Sequence, residues 1–242
     1  MDQEPQSNSQ PSPRELKKEY REQKQTKIKG FRALRWGIAG IIVVGLALGL
    51  WWFLDKPKNS SPVDQNVLGF RENERIYGRN DAPVMLVEYA DFQCPACGAY
   101  YPLIKTLEQD FSDKLAVVFR HFPLTAIHSN ALPAARAGEA AGQQGKFWEM
   151  HDMIFEKQHE WSASTEVEKI FRHYAEVLGM DVDRFSTDYN SKSFDAKIKN
   201  DFNSGETLGV QGTPTFFLNG TKINNPRGYE EFRNLIEQAA IK

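Results

Sequence analysis

Cysteine is scarce in this sequence: there are two in 242 residues, Cys94 and Cys97, three positions apart. That count excludes a disulfide-stapled scaffold, which needs several cysteines at wide spacing. It also leaves a tetrahedral zinc site two ligands short, and His121 and His128 lack the tight paired spacing of metal motifs. Neither sign of charge is in large excess. With 30 Lys and Arg against 32 Asp and Glu, the formal net charge is −2, so a strongly basic nucleic-acid binder is not indicated. No internal repeat is visible, and one stretch lacks charge altogether, the 19 residues from Trp36 to Leu54. For two cysteines so placed, a redox pair is the chemistry that remains.

The length suits one ordinary domain with an appendage. Residues 1–35 carry nine Lys and Arg against five Asp and Glu, and have few large apolar side chains. Such a tail buries too little surface to offset its ordering entropy, and disorder is expected. The uncharged run over residues 36–54 would extend about 28 Å as a helix, close to the hydrocarbon thickness of a bilayer. Trp36, Trp51 and Trp52 then fall at the two interfaces. A cleaved signal peptide would have a shorter apolar core and a small-residue cleavage site, and a buried core helix would keep some polar positions. Residues 36–54 are therefore expected to form a single transmembrane anchor in the cell membrane. Lys27, Lys29, Arg32 and Arg35 precede it; by the positive-inside rule the tail is cytoplasmic and everything after Asp55 extracytoplasmic. Residues 55–66, with Pro57, Asn59, Ser60, Ser61 and Pro62, suit an extended tether.

Beyond the tether, Val84–Tyr89 and Leu115–Phe119 are apolar runs of strand length. A helix is expected from the cysteines to about Gln109, bent at Pro102. A long helical region follows over roughly Asn130–Gly209, with breaks near Gly145, Trp161, Gly179 and Asn190. Thr215–Leu218 reads as a third strand. Asn219-Gly220 is a hairpin-turn pair leading to a short strand near Lys222–Ile223, and Tyr229–Ala240 closes as a helix. This order is α/β with a helical insertion.

A thiol reacts as its thiolate, and Cys94 stands where a helix start would lower its pKa, facing the unpaired N–H groups of the first turn. Pro95 suits the first helical position, where an N–H would go unpaired anyway. Cys97 lies one turn deeper, within reach of Cys94 but shielded. Cys94 is thus expected to make and break the mixed disulfide, with Cys97 resolving it.

Four runs together resemble the DsbA-type branch of the thioredoxin superfamily: Tyr89-Ala-Asp-Phe-Gln-Cys-Pro-Ala-Cys97, Arg120-His-Phe-Pro-Leu124, Lys146-Phe-Trp-Glu-Met-His151 and Gly212-Thr-Pro-Thr-Phe-Phe-Leu-Asn-Gly220. The resemblance covers about residues 67–242. It implies a thioredoxin fold with a helical domain inserted at approximately 128–209, and dithiol–disulfide exchange outside the cytoplasm. It also implies that Thr213–Pro214 is a cis peptide beside the cysteines, with the Thr213 backbone offered to a bound polypeptide; the alternative is a trans-proline that merely starts an edge strand. Glu88, six residues before Cys94 in an otherwise apolar strand, matches a buried acid that moves protons for the deeper cysteine in this superfamily. Simple alternation would instead place Glu88 on a solvent face. Ala96 departs from the pattern, since strongly oxidising members often carry His there, and alanine supplies no cation to the thiolate.

The activity expected is that of a disulfide oxidase acting on cysteine-containing secreted or membrane proteins. Its alternatives are a reductant of selected extracytoplasmic thiols and a non-catalytic holdase using the same groove. No cofactor or metal is expected beyond the Cys94–Cys97 disulfide itself. The resemblance implies reoxidation by a quinone-linked membrane partner of the DsbB or vitamin-K-epoxide-reductase kind, and a monomer is expected. His121 is expected to be a satisfied structural histidine, and the aromatic residues from Phe147 to Phe155 to pack the helical insertion.

Overall fold

The computed structural model describes Gly45 and residues 73–241. The expected tail, anchor and tether, residues 1–66, lie outside the described residues apart from Gly45. Among the described residues no helix is long and apolar enough to cross a membrane.

Two seven-residue, largely apolar runs build the centre of one sheet. Val84–Ala90 (β2) and Leu115–His121 (β3) pair in parallel, with Glu88 beside Phe119. The helix Pro95–Asp110 (α1) joins them. Thr215–Leu218 (β4) pairs antiparallel with β2, setting Phe216 on the other side of Glu88. Thr221–Lys222 (β5) is folded back on β4 by Asn219 and Gly220, both at positive φ (44° and 80°), as a two-residue hairpin turn of the primed kind requires. The edge strand Arg75–Tyr77 (β1) pairs antiparallel with β3, giving the order β1-β3-β2-β4-β5. Six helices lie between β3 and β4: Ala131–Gly142 (α2), Phe147–Glu156 (α3), Gln158–Trp161 (α4), Val167–Val177 (α5), Val182–Asn190 (α6) and Asp195–Thr207 (α7). Tyr229–Ala240 (α8) closes the fold.

Strand alternation divides the core. Val84, Leu86, Phe216 and Leu218 pack against Ile104 and Leu107 of α1 and Phe232 and Ile236 of α8. Val87, Tyr89, Val118 and Phe217 point the other way, with Phe122 and Val210. The helices α2–α6 share a third core, in which Phe92, Phe119, Phe147, Met150, Trp161 and Phe171 meet, and this core extends to Cys94 and Cys97.

The helix α1 runs from Pro95 through Pro102 to Asp110, the extent the sequence indicates, whereas the sequence carries no sign of the edge strand β1. Three residues with two long polar side chains give no periodic signal; β1 is held by the backbone of β3 and by Arg75, whose guanidinium reaches Glu139 at 2.6 Å.

Candidate active site

Asp91 organises the turn between β2 and α1. Its buried carboxylate accepts hydrogen bonds from the N–H groups of Gln93 (2.8 Å) and Leu124 (2.9 Å) and pairs with His128 Nδ1 (2.6 Å). Its carbonyl accepts from Cys94 N at 3.0 Å. The inserted helices grip the same turn. Gln158 Nε2 donates to the carbonyls of Phe92 (2.7 Å) and Cys94 (2.9 Å), and Gln93 bridges Asn130 N to the Ser162 carbonyl. Cys94 is thereby fixed as the N-cap of α1, with extended backbone and Pro95 in the first helical position.

The two thiols, both free, have unlike surroundings. Cys94 is 7% exposed, behind the exposed Pro95 and Ala96, whereas Cys97 is 0% exposed. The Cys94 thiol is pushed down to about 5. The main cause is the hydrogen bond from Cys97, with Thr213 and the backbone N–H groups of Cys97 and Ala96 adding to it against burial. The Cys97 thiol is held well above the ordinary cysteine value, by burial first, then by its bond to Cys94 and the nearby Glu88.

Thr213–Pro214 is cis, and the Thr213 carbonyl lies 3.4 Å from Cys94 Sγ, which sets this peptide beside Cys94. The trans alternative is overturned. Pro214 is buried, and its carbonyl accepts from Asn225 Nδ2 at 2.8 Å. Glu88 is 4% exposed and so is not on a solvent face. Burial, with a smaller contribution from Glu108, raises its carboxyl to about 8.

His121 is not at the cysteines. Its Nε2 bonds Glu139 at 2.9 Å, in a buried cluster that also holds Arg75 and Lys197. Three groups at or near the site escaped sequence reasoning: Asp91, Gln158 and Glu108. Glu108 was readable in principle, since eleven residues after Cys97 is three helical turns and returns to the same face. Gln158 gives no such signal, because it reaches Cys94 only through the tertiary fold. Among the described residues, no group of three or more His, Cys, Asp or Glu side chains is placed to hold a metal ion.

The thioredoxin family model matches residues 71–238. Oxidised BdbD from Bacillus subtilis superposes with a TM-score of 0.63 at 22% identity, covering 70% of this chain and 94% of BdbD. Alpha-DsbA1 from Wolbachia pipientis superposes at 0.65 with 22% identity, covering 73% and 95%. A curated relative, the Na(+)/H(+) antiporter NhaA 3 of Salinispora tropica, is 39% identical over 159 residues, 66% of this chain and 24% of its own. The chain thus spans about a quarter of the length of the curated relatives it matches, and their antiporter names describe proteins of far greater extent. Matched by one family model over most of its length and built on the DsbA-type arrangement of sheet and inserted helices, the chain belongs to the thioredoxin family.

Proposed function

We propose that this chain is an extracytoplasmic protein thiol–disulfide oxidoreductase that works as a disulfide oxidase through Cys94 and Cys97. The observation that carries this reading is the asymmetry of the pair, one thiol pushed down to about 5 at a helix N-terminus and the other buried and pushed up. A substrate thiolate attacks Cys94 Sγ of the oxidised pair. The Cys94–Cys97 bond breaks, and Cys97 leaves as a thiolate that takes a proton from Glu88. The substrate's second thiolate then attacks its own sulfur in the mixed disulfide, and Cys94 departs as a stabilised thiolate. The substrate is oxidised by two electrons and the enzyme is left as the dithiol. Thr213 and the edge beside Pro214 would align the substrate chain. Secreted or membrane proteins with cysteines are the substrates this implies, and the dithiol would be returned to the disulfide by a quinone-linked membrane partner. The uncharged run 36–54 supports the extracytoplasmic location.

A second reading, a reductant of extracytoplasmic thiols, is favoured by Ala96, which supplies no cation between the cysteines. The redox equilibrium of the pair against glutathione separates the two. An oxidase is expected to lie towards the roughly −120 mV of DsbA, whereas a value near the roughly −270 mV of thioredoxin would make the protein a reductant.

A further inference from the structure

Glu108 is 2% exposed, and besides Lys105 no hydrogen-bond donor meets its carboxyl oxygens among the described residues. A buried carboxyl with so few partners costs stability and calls for an explanation. Among the described residues its charge is answered by Lys105, whose Nζ lies 2.9 Å from Oε2 and 3.0 Å from Asp152. Lys105 and Asp152 are about a quarter exposed, so the trio runs from the interior to the surface.

The geometry ties this group to the site. At 100° per residue, Glu108 returns to within about 20° of Cys97 around α1. Along that face the buried residues are Cys97, Ile104, Leu107 and Glu108. The opposing strand β2 runs antiparallel to this face after the turn at Asp91. Its Leu86 packs with Ile104 and Leu107, and its Ala90 packs in the core that holds Cys97. Glu88 lies between Leu86 and Ala90 on the same side of the strand, so both carboxyls are buried in one α1–sheet interface.

We propose that Glu108 is a positioning residue that acts through Glu88, its charge governing the proton exchange between Glu88 and Cys97. The proposal rests on the exchange reading of the cysteine pair. Lys105 on α1 pairs with Glu108 and also with Asp152 on α3, whose other partner is the buried His151; Tyr101 on α1 and Glu88 on β2 feel the Glu108 charge, and Tyr77 of β1 lies under Lys105 at 4.8 Å. On α8 the apolar Phe232 and Ile236 pack towards α1, and the Tyr229 hydroxyl donates to the Asp110 carboxylate at the end of α1. Burial raises the Glu108 carboxyl to about 7 against the pull of Lys105; above that pH it is an anion that disfavours ionisation of Glu88 and so keeps Glu88 a stronger base for the Cys97 proton. The step concerned is balanced. Cys97–SH gives its proton to the Glu88 carboxylate, the Cys97 thiolate attacks Cys94 in a mixed disulfide, the substrate sulfur leaves as a thiolate, and the Cys94–Cys97 bond forms.

The test uses glutathione as probe. Oxidised glutathione reacts with the reduced protein to give a Cys94–glutathione mixed disulfide, whose resolution by Cys97 is followed by rapid quench between pH 5 and 10. Wild type is expected to inflect near pH 8. Glu108→Gln and Glu108→Met are both expected to lower that inflection by about one pH unit while leaving the pH dependence of Cys94 alkylation in place. Glu108→Met replaces the buried carboxyl with an apolar side chain of similar length and leaves Lys105 its partner Asp152 near the surface, so both variants are expected to fold. An inflection unmoved in both variants, or a parallel shift of Cys94 alkylation, overturns the role of Glu108 and leaves the exchange reading standing. A wild-type protein that forms no mixed disulfide, or never resolves it, overturns the exchange reading, and this proposal with it.

Discussion

Cys94 and Cys97 are the same residue in opposite settings, and the difference comes from a single helical turn. Cys94 meets the free N–H groups of α1 and a donor in Cys97, and it ionises at about 5. Cys97 has lost its solvent and faces an acid, and it holds its proton. A buried thiol that must gain and lose a proton needs a neighbour able to carry one, and Glu88, raised to about 8, is suited to that task near neutral pH. Glu88→Gln keeps the shape and removes the titration. Resolution of the mixed disulfide by Cys97 at pH 7 should slow by roughly tenfold to a hundredfold, and the inflection near pH 8 should vanish from its pH profile. Rapid-quench kinetics across pH 5 to 10 check this, and an unchanged profile would remove Glu88 from the chemistry.

At the scale of elements, the active-site turn is gripped by a helix from the insertion. A Cβ on Gly98 would sit 2.7 Å from Gln158 Oε1, yet Gln158 cannot move without releasing the carbonyls of Phe92 and Cys94. Two opposed effects follow for Gly98→Ala: a gain in helix propensity of up to about 1 kcal/mol, and the loss of two hydrogen bonds worth about 1 kcal/mol each. In the wild-type background the substitution should destabilise by about 1 kcal/mol, and in a Gln158→Ala background it should stabilise. Urea unfolding of the four proteins reads this change of sign, and two effects of the same sign would refute the clamp. Elements of this kind also mark what the sequence could tell. The strands β2, β3 and β4, the turn at Asn219-Gly220 and the helix breaks near Gly145, Gly179 and Asn190 were legible because periodicity and turn residues are local. Cys94, Cys97, Pro214 and Glu88 were legible because the motif runs lie close to them in the chain. The strand β1 was too short to carry a pattern, and Gln158, like Asp91 in its bonds to Leu124 and His128, acts on groups that only the fold brings to it. Nothing local marks Glu108 out from the other acids except its place three turns after Cys97.

For the whole molecule, proton binding at the site joins redox state to stability. Between pH 5 and 9 an unfolded dithiol keeps a proton on Cys94 that the folded dithiol has released, so the folded, reduced protein gains stability as pH rises through this window. The disulfide form has no such thiol and no such gain. Glu88 works the other way: its folded carboxyl holds a proton up to about 8 that the unfolded chain releases near 4.5, so stability falls as pH rises between those values, in either redox form. The difference in unfolding free energy between reduced and oxidised protein isolates the thiolate. It should grow from pH 5 to pH 8 by at most about 1.4 kcal/mol per pH unit, and by less because solvent at the mouth of the site screens the thiolate. Urea unfolding of both redox forms at several pH values measures it. A dithiol that outlasts its own disulfide is an oxidant, because reduction of the enzyme is then downhill. If the difference stays flat between pH 5 and 8, the Cys94 thiolate is not stabilised by the fold, and the direction of exchange passes to the reductant reading that Ala96 favours.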